Sequence, residues 1–123
     1  MANIVEMDER ASIFKQMEED VSPVILIIKF SVDSKEFDQF LKVWATEAEK
    51  FKEQPGFIST QLHKGIGGSG TFINYAVWES TSQFKNAVKN VMNPQDLMSA
   101  YPPSTIASPH LFKKVAVHGI CVE

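Results

Sequence analysis

The chain has 123 residues, 44% hydrophobic and 22% charged, a balance that fits one soluble globular domain and is too short for two independent cores. A net charge of −3 gives no sign of the basic patch that nucleic-acid binding needs. The single cysteine, Cys121, excludes an intrachain disulfide and a cysteine-built zinc site.

Residues 1–22 form an acidic arm in which Glu6, Asp8, Glu9, Glu18, Glu19 and Asp20 stand against Arg10 and Lys15. Its opening, MANIVEMDER, does not read as a signal peptide. Ile13, Phe14 and Met17 fall at i, i+1 and i+4, enough for one short amphipathic helix. Such a segment has too little apolar surface to fold alone, so it is expected to dock on the body or on a partner subunit. Pro23 ends the arm, and residues 23–123 read as one domain. The longest apolar run, Val24 to Ile28, is far short of the roughly 20 residues of a membrane span. A cytoplasmic protein with neither nucleic-acid nor membrane partner is the expectation.

Val24 to Val32 is apolar on both parities, as in a strand buried on both faces. Asp33 and Glu36 have capping-box spacing at the head of a helix. Its apolar stripe is Phe37, Phe40, Leu41, Trp44, Ala45, Ala48 and Phe51, and Gln54-Pro55-Gly56 stops it. Phe57 to Ile66 is the second strand and Thr71 to Glu79 the third, joined by the glycine-rich stretch Gly65 to Gly70. That stretch has G-x-G spacing but opens no helix, so it reads as a hairpin link and not a phosphate cradle. Ser80 and Gln83 repeat the capping signal before a helix with Phe84, Ala87, Val88 and Val91 inward. Asn93-Pro94 closes that helix, Leu97-Met98 marks a further turn, and Tyr101-Pro102-Pro103 is rigid. A last strand is predicted from about Leu111 to Val122, with Cys121 inside it.

The order β-α-β-β-α-β is the ferredoxin-like pattern, an α+β fold whose four-stranded antiparallel sheet carries its helices on one face. The first and last strands are apolar on both parities, so a lone subunit would leave one sheet face wet. Two subunits packed sheet to sheet would cover it, and a homodimeric α+β barrel is expected.

On the third strand Phe72, Asn74, Ala76 and Trp78 share one face. Asn74 is an amide among apolar neighbours, and leaving it unpaired would cost about 1–3 kcal/mol. It either bonds local backbone or is a donor aimed into a pocket. Trp78 lies about 13 Å further along the strand, and its ring can lean back to leave a gap for a flat ligand. Phe40, Trp44, Phe72, Phe84 and Val88 are core residues that could also line such a pocket.

Pro55-Gly56-Phe57-Ile58-Ser59-Thr60-Gln61-Leu62-His63, followed by Thr71-Phe72-Ile73-Asn74-Tyr75-Ala76-Val77-Trp78-Glu79-Ser80, resembles the antibiotic biosynthesis monooxygenase family. The similarity runs from about Val24 to Val122. It implies a dimeric ferredoxin-like barrel and an oxygenase that attacks aromatic or quinol-like compounds without metal or organic cofactor. It also implies that Asn74 and Trp78 bind and activate the substrate, by stabilising an anion that reduces dioxygen. The same branch uses an arginine in its later part, whereas the only arginine here is Arg10. Two other readings stay open. One is a binding module that holds a hydrophobic small molecule without turnover. The other is haem binding or degradation, which in the family uses a histidine on the second helix. Here His63, His110 and His118 lie elsewhere.

Overall fold

The computed structural model describes residues 1–91 and 98–122. Its elements are β1 (Asn3–Ile4), α1 (Ile13–Gln16), β2 (Val24–Ser31), α2 (Phe37–Lys52), β3 (Phe57–Lys64), β4 (Thr71–Trp78), α3 (Thr81–Val91) and β5 (Ile106–Phe112). The four strands β5-β2-β4-β3 pair antiparallel in the expected α+β arrangement. The sheet is nevertheless five-stranded and mixed, because Asn3 and Ile4 of the arm pair parallel with Ile106 and Ala107 at its edge. Among the described residues, no helix is long and apolar enough to cross a membrane.

The last strand starts five residues earlier than the sequence suggests and ends ten residues earlier. Pro109 sits inside β5, opposite Ile28, where a missing N–H would normally break the ladder. Asn3 N–H donates to Thr105 O and Val5 N–H to Ala107 O, so alternate residues of this strand turn their backbone away from β2. Pro109 shares that parity, and its nitrogen falls on the outer edge beyond the end of β1. No ladder bond is lost there. Residues 113–122 leave the sheet, and Val117 and Cys121 exchange backbone hydrogen bonds around a turn with Gly119 at φ +76°. Cys121 is exposed and outside β5, its thiol 3.1 Å from Val115 O.

Asp33 caps as expected, accepting from Lys35 N–H at 3.0 Å, but it heads a short 3-10 turn over Ser34–Glu36 that leads into α2. Glu36 does not reach back to close the box. It accepts from Ser104 N–H at 3.1 Å, while Asp33 N–H donates to the Ser104 hydroxyl at 2.9 Å. The Ser80 hydroxyl does cap α3, accepting from Gln83 N–H at 3.2 Å. The expected signals at Asn93-Pro94 and Leu97 lie outside the described residues.

Helix α2 is rotated relative to the stripe read from sequence. Leu41 and Ala45 face solvent, while Phe37, Phe40, Trp44, Glu47, Ala48 and Phe51 are buried or half-buried. The core divides into two clusters. Val24, Leu26, Ala76, Trp78, Phe84 and Leu111 pack with Ile13 of α1 in one, and Phe30, Phe40, Phe72 and Tyr101 pack in the other. Both lie on the helix-covered face of the sheet. The opposite face leaves Tyr75, Ile106 and Phe112 exposed.

Candidate functional site

Strand alternation places Phe72, Asn74, Ala76 and Trp78 on the helix-covered face, and all four are buried. Between this face, α2 and α3 lies a cavity of about 160 Å³, lined mainly by apolar side chains. An apolar cavity of roughly 150 Å³ admits one benzene ring, so the space suits a ligand of about one ring. A few polar groups break the apolar wall, as in small-molecule sites generally. They are Thr60, Asn74, Glu47, Tyr101 and the indoles of Trp44 and Trp78.

Asn74 is only 6% exposed, so its carboxamide must be satisfied from within. The Thr60 hydroxyl, on the neighbouring strand β3, donates to Asn74 Oδ1 at 2.5 Å. The Asn74 amide nitrogen has no partner among the described residues. Thr60 therefore fixes the carboxamide with its N–H donors left for whatever enters the cavity. The partner is thus a side chain of the neighbouring strand rather than local backbone, and Asn74 lines the cavity. Trp78 forms part of the wall, held edge to face by Phe57 at 5.4 Å, Phe84 at 5.6 Å and Phe51 at 6.2 Å between centroids.

Of the other pocket residues expected from sequence, Trp44, Phe84 and Val88 line the cavity. Phe40 and Phe72 do not. They stack on each other at 4.8 Å, and Phe30, Phe37 and Tyr101 surround them at 4.9–5.6 Å, so this end of the layer is filled. Arg10 is exposed and pairs with Asp8 at 3.1 Å, away from the cavity.

Two groups were missed by sequence reasoning. Glu47 reaches the cavity from α2 as the only charged side chain on its described lining, and the Tyr101 hydroxyl donates to Glu47 Oε2 at 2.9 Å. Burial raises the Glu47 carboxyl above its ordinary range, against the opposing hydrogen bond from Tyr101 and the charge of Lys50. Burial, then the Glu47 carboxylate, pushes the Tyr101 hydroxyl above its own ordinary value. The signal for Glu47 was present in the spacing, because it stands seven residues after Phe40 and four before Phe51.

The arm closes the remaining side. Ile4, Ile13, Phe14 and Met17 line the cavity. Gln16 fastens α1 to the open edge of β5: its Nε2 donates to Leu111 O at 3.0 Å and its Oε1 accepts from Leu111 N–H at 2.9 Å. Among the described residues, no group of three or more His, Cys, Asp or Glu side chains could hold a metal ion. Helix α3 carries no histidine, and His110 lies on β5 against Gln16.

This fold is found in several solved structures. One is SnoaB, a cofactor-independent oxygenase from Streptomyces nogalater, with TM-score 0.66 and 24% identity, covering 80% of this chain and 99% of that one. A candidate monooxygenase from Shewanella loihica PV-4 has TM-score 0.62 and 28% identity, covering 78% and 97%. An arginine-to-serine mutant of MhuD, with two manganese protoporphyrin IX bound per active site, has TM-score 0.61 and 23% identity, covering 79% and 99%. A sequence search of curated proteins returns no match. The family model for antibiotic biosynthesis monooxygenase matches residues 23–92, more than half of the chain. The chain belongs to that family.

Proposed function

We propose that the protein is a cofactor-independent monooxygenase acting with dioxygen on a small aromatic or quinol-like compound. The observation that carries this reading is the Asn74 amide, pinned by Thr60 and presenting its N–H donors to an apolar cavity walled by Trp78. A phenol or anthrone that loses a proton there becomes an electron-rich anion. Asn74 is the donor for its oxyanion, and the Trp78 indole N–H is the second. The anion passes an electron to dioxygen, and the two radicals recombine to form a C–O bond. Loss of water gives a quinone, one atom of dioxygen entering the ring and the other leaving with two hydrogens of the substrate. Trp44, Phe84 and Val88 hold the ring by apolar contact.

The working unit in this reading is a cytoplasmic homodimer, the second copy covering the sheet face on which Tyr75, Ile106 and Phe112 are exposed. Binding without turnover is the second reading, favoured by the position of Arg10 outside the cavity. Oxygen uptake by metal-stripped protein against catechol, α-naphthol and anthrone separates the two. Protein-dependent uptake that falls by about 10²–10³ in Asn74→Ala, the usual cost of one oxyanion donor, supports the enzyme. No uptake, with saturable quenching of tryptophan fluorescence by the same compounds, supports the binding module.

A further inference from the structure

The chemistry just described begins with a proton leaving the substrate, and an amide and an indole cannot accept it. The cavity wall offers one carboxylate. Glu47 stands on α2, across the layer from the sheet that carries Asn74, and both line the same space. Its Oε2 is occupied by the Tyr101 hydroxyl at 2.9 Å, while Oε1 has no partner among the described residues. We propose that Glu47 is the base that takes the substrate's proton, with Tyr101 as the positioning residue that holds its carboxylate toward the ligand. The assignment rests on the oxygenase reading above and deepens it.

The step balances within the cavity. The substrate O–H or C–H bond breaks, its electron pair stays on the substrate, and the proton forms a new O–H bond on Glu47 Oε1. The carboxylate becomes a neutral acid as the substrate becomes an anion, so one negative charge occupies the cavity before and after. That charge moves from the Glu47 side of the cavity to the donors of Asn74. When the oxygen adduct loses water, the acid returns its proton and is ready again. The groups acting on Glu47 are Tyr101 opposite and Lys50 one turn along its own helix, and burial outweighs both, so that its proton affinity is raised. A base so poised is a stronger proton acceptor than a surface glutamate.

The alternative for Glu47 is a purely structural tie between α2 and the Tyr101 segment. The test uses the full chain and the compound from the panel above that gives the fastest uptake. In Glu47→Gln, which can still accept from Tyr101, kcat is expected to fall by about 10²–10⁴ with KM within a few-fold. The acid limb of the wild-type pH profile should disappear with it. In Glu47→Ala, added acetate should restore part of the turnover. Glu47→Gln with wild-type kcat and an unchanged acid limb overturns the assignment while leaving the oxygenase reading intact. So does a Tyr101→Phe loss equal to that of Glu47→Ala, with no acetate rescue of the latter. Absence of uptake by the wild type instead overturns the oxygenase reading, and this assignment with it. Quenching titrations on each variant report whether the cavity still binds.

Discussion

A carboxamide held by a threonine and a carboxylate held by a tyrosine face one cavity, the threonine occupying the amide's single oxygen and the tyrosine one of the carboxylate's two. The Glu47 arrangement carries a stability cost that can be measured. Its folded-state pKa is raised, so the folded protein binds the proton more tightly than the unfolded chain does. The stability this contributes is fully present below the ordinary glutamate value and is lost as pH rises through the raised one. Glu47→Gln, neutral at every pH, should therefore melt above the wild type at neutral pH. The gap in Tm should close on acidification, which calorimetry across a pH series checks. Asn74 was legible because strand parity alone fixes its face, and apolar neighbours at i±2 say which face is inward. Glu47 was not, because an acidic residue in a helix is assigned to water by default. Its place on the Phe40–Phe51 line outweighs that default only once the helix rotation is known. Tyr101 follows an aperiodic stretch and gave no positional signal at all.

At the level of elements, the arm is tied to the body at several points: β1 pairs with β5, Ile13 is buried in the core, Val21 bonds Thr81, and Gln16 binds the edge of β5. Gln16 gives and takes a hydrogen bond at the same residue of β5, replacing the strand that β1 is too short to supply. Gln16→Ala should lower the unfolding free energy by about 1–2 kcal/mol, the net worth of two such bonds. Hydrogen exchange should then quicken at the Leu111 amide ahead of the rest of β5. The central strands and both long helices were legible from their apolar periodicity, with the Asp33 and Ser80 caps marking where each helical region begins. The last strand was placed too late in the chain, although Pro109, on the outward parity of an edge, costs the observed strand nothing. The apolar residues of the 115–122 tail, Val115, Ile120 and Val122 among them, then attracted the strand assignment although they are exposed. The pairing of Asn3 and Ile4 with β5 had no sequence signal, because two residues are too few to display a period.

For the whole molecule, the uneven wetting of the two sheet faces is the dominant fact. One face is covered by α2, α3 and the arm, while the other presents Tyr75 on a central strand and Ile106 and Phe112 on β5. Apolar residues grouped on a sheet face mark an interaction surface. Under the homodimer proposal, Tyr75→Lys should shift the sedimentation profile from dimer to monomer. Its circular dichroism should stay that of the wild type, because Tyr75 is 40% exposed and belongs to neither of the two described core clusters. A variant that remains dimeric would place the self-contact elsewhere. The need for a cover was readable from β2, apolar on both parities, but the residues that stay wet depend on the position of β5 and so on the displaced strand.

The cavity wall has two origins in the chain. The family match begins at residue 23, yet Ile4, Ile13, Phe14 and Met17, which close one side of the cavity, all precede it. The sheet and the two long helices thus supply the donors, while the shape of the opening is written in a separate stretch. Changes in that stretch can resize the chamber without disturbing the frame that holds Asn74. Under the proposed function, ligand preference and reaction chemistry are in this way free to diverge at different rates.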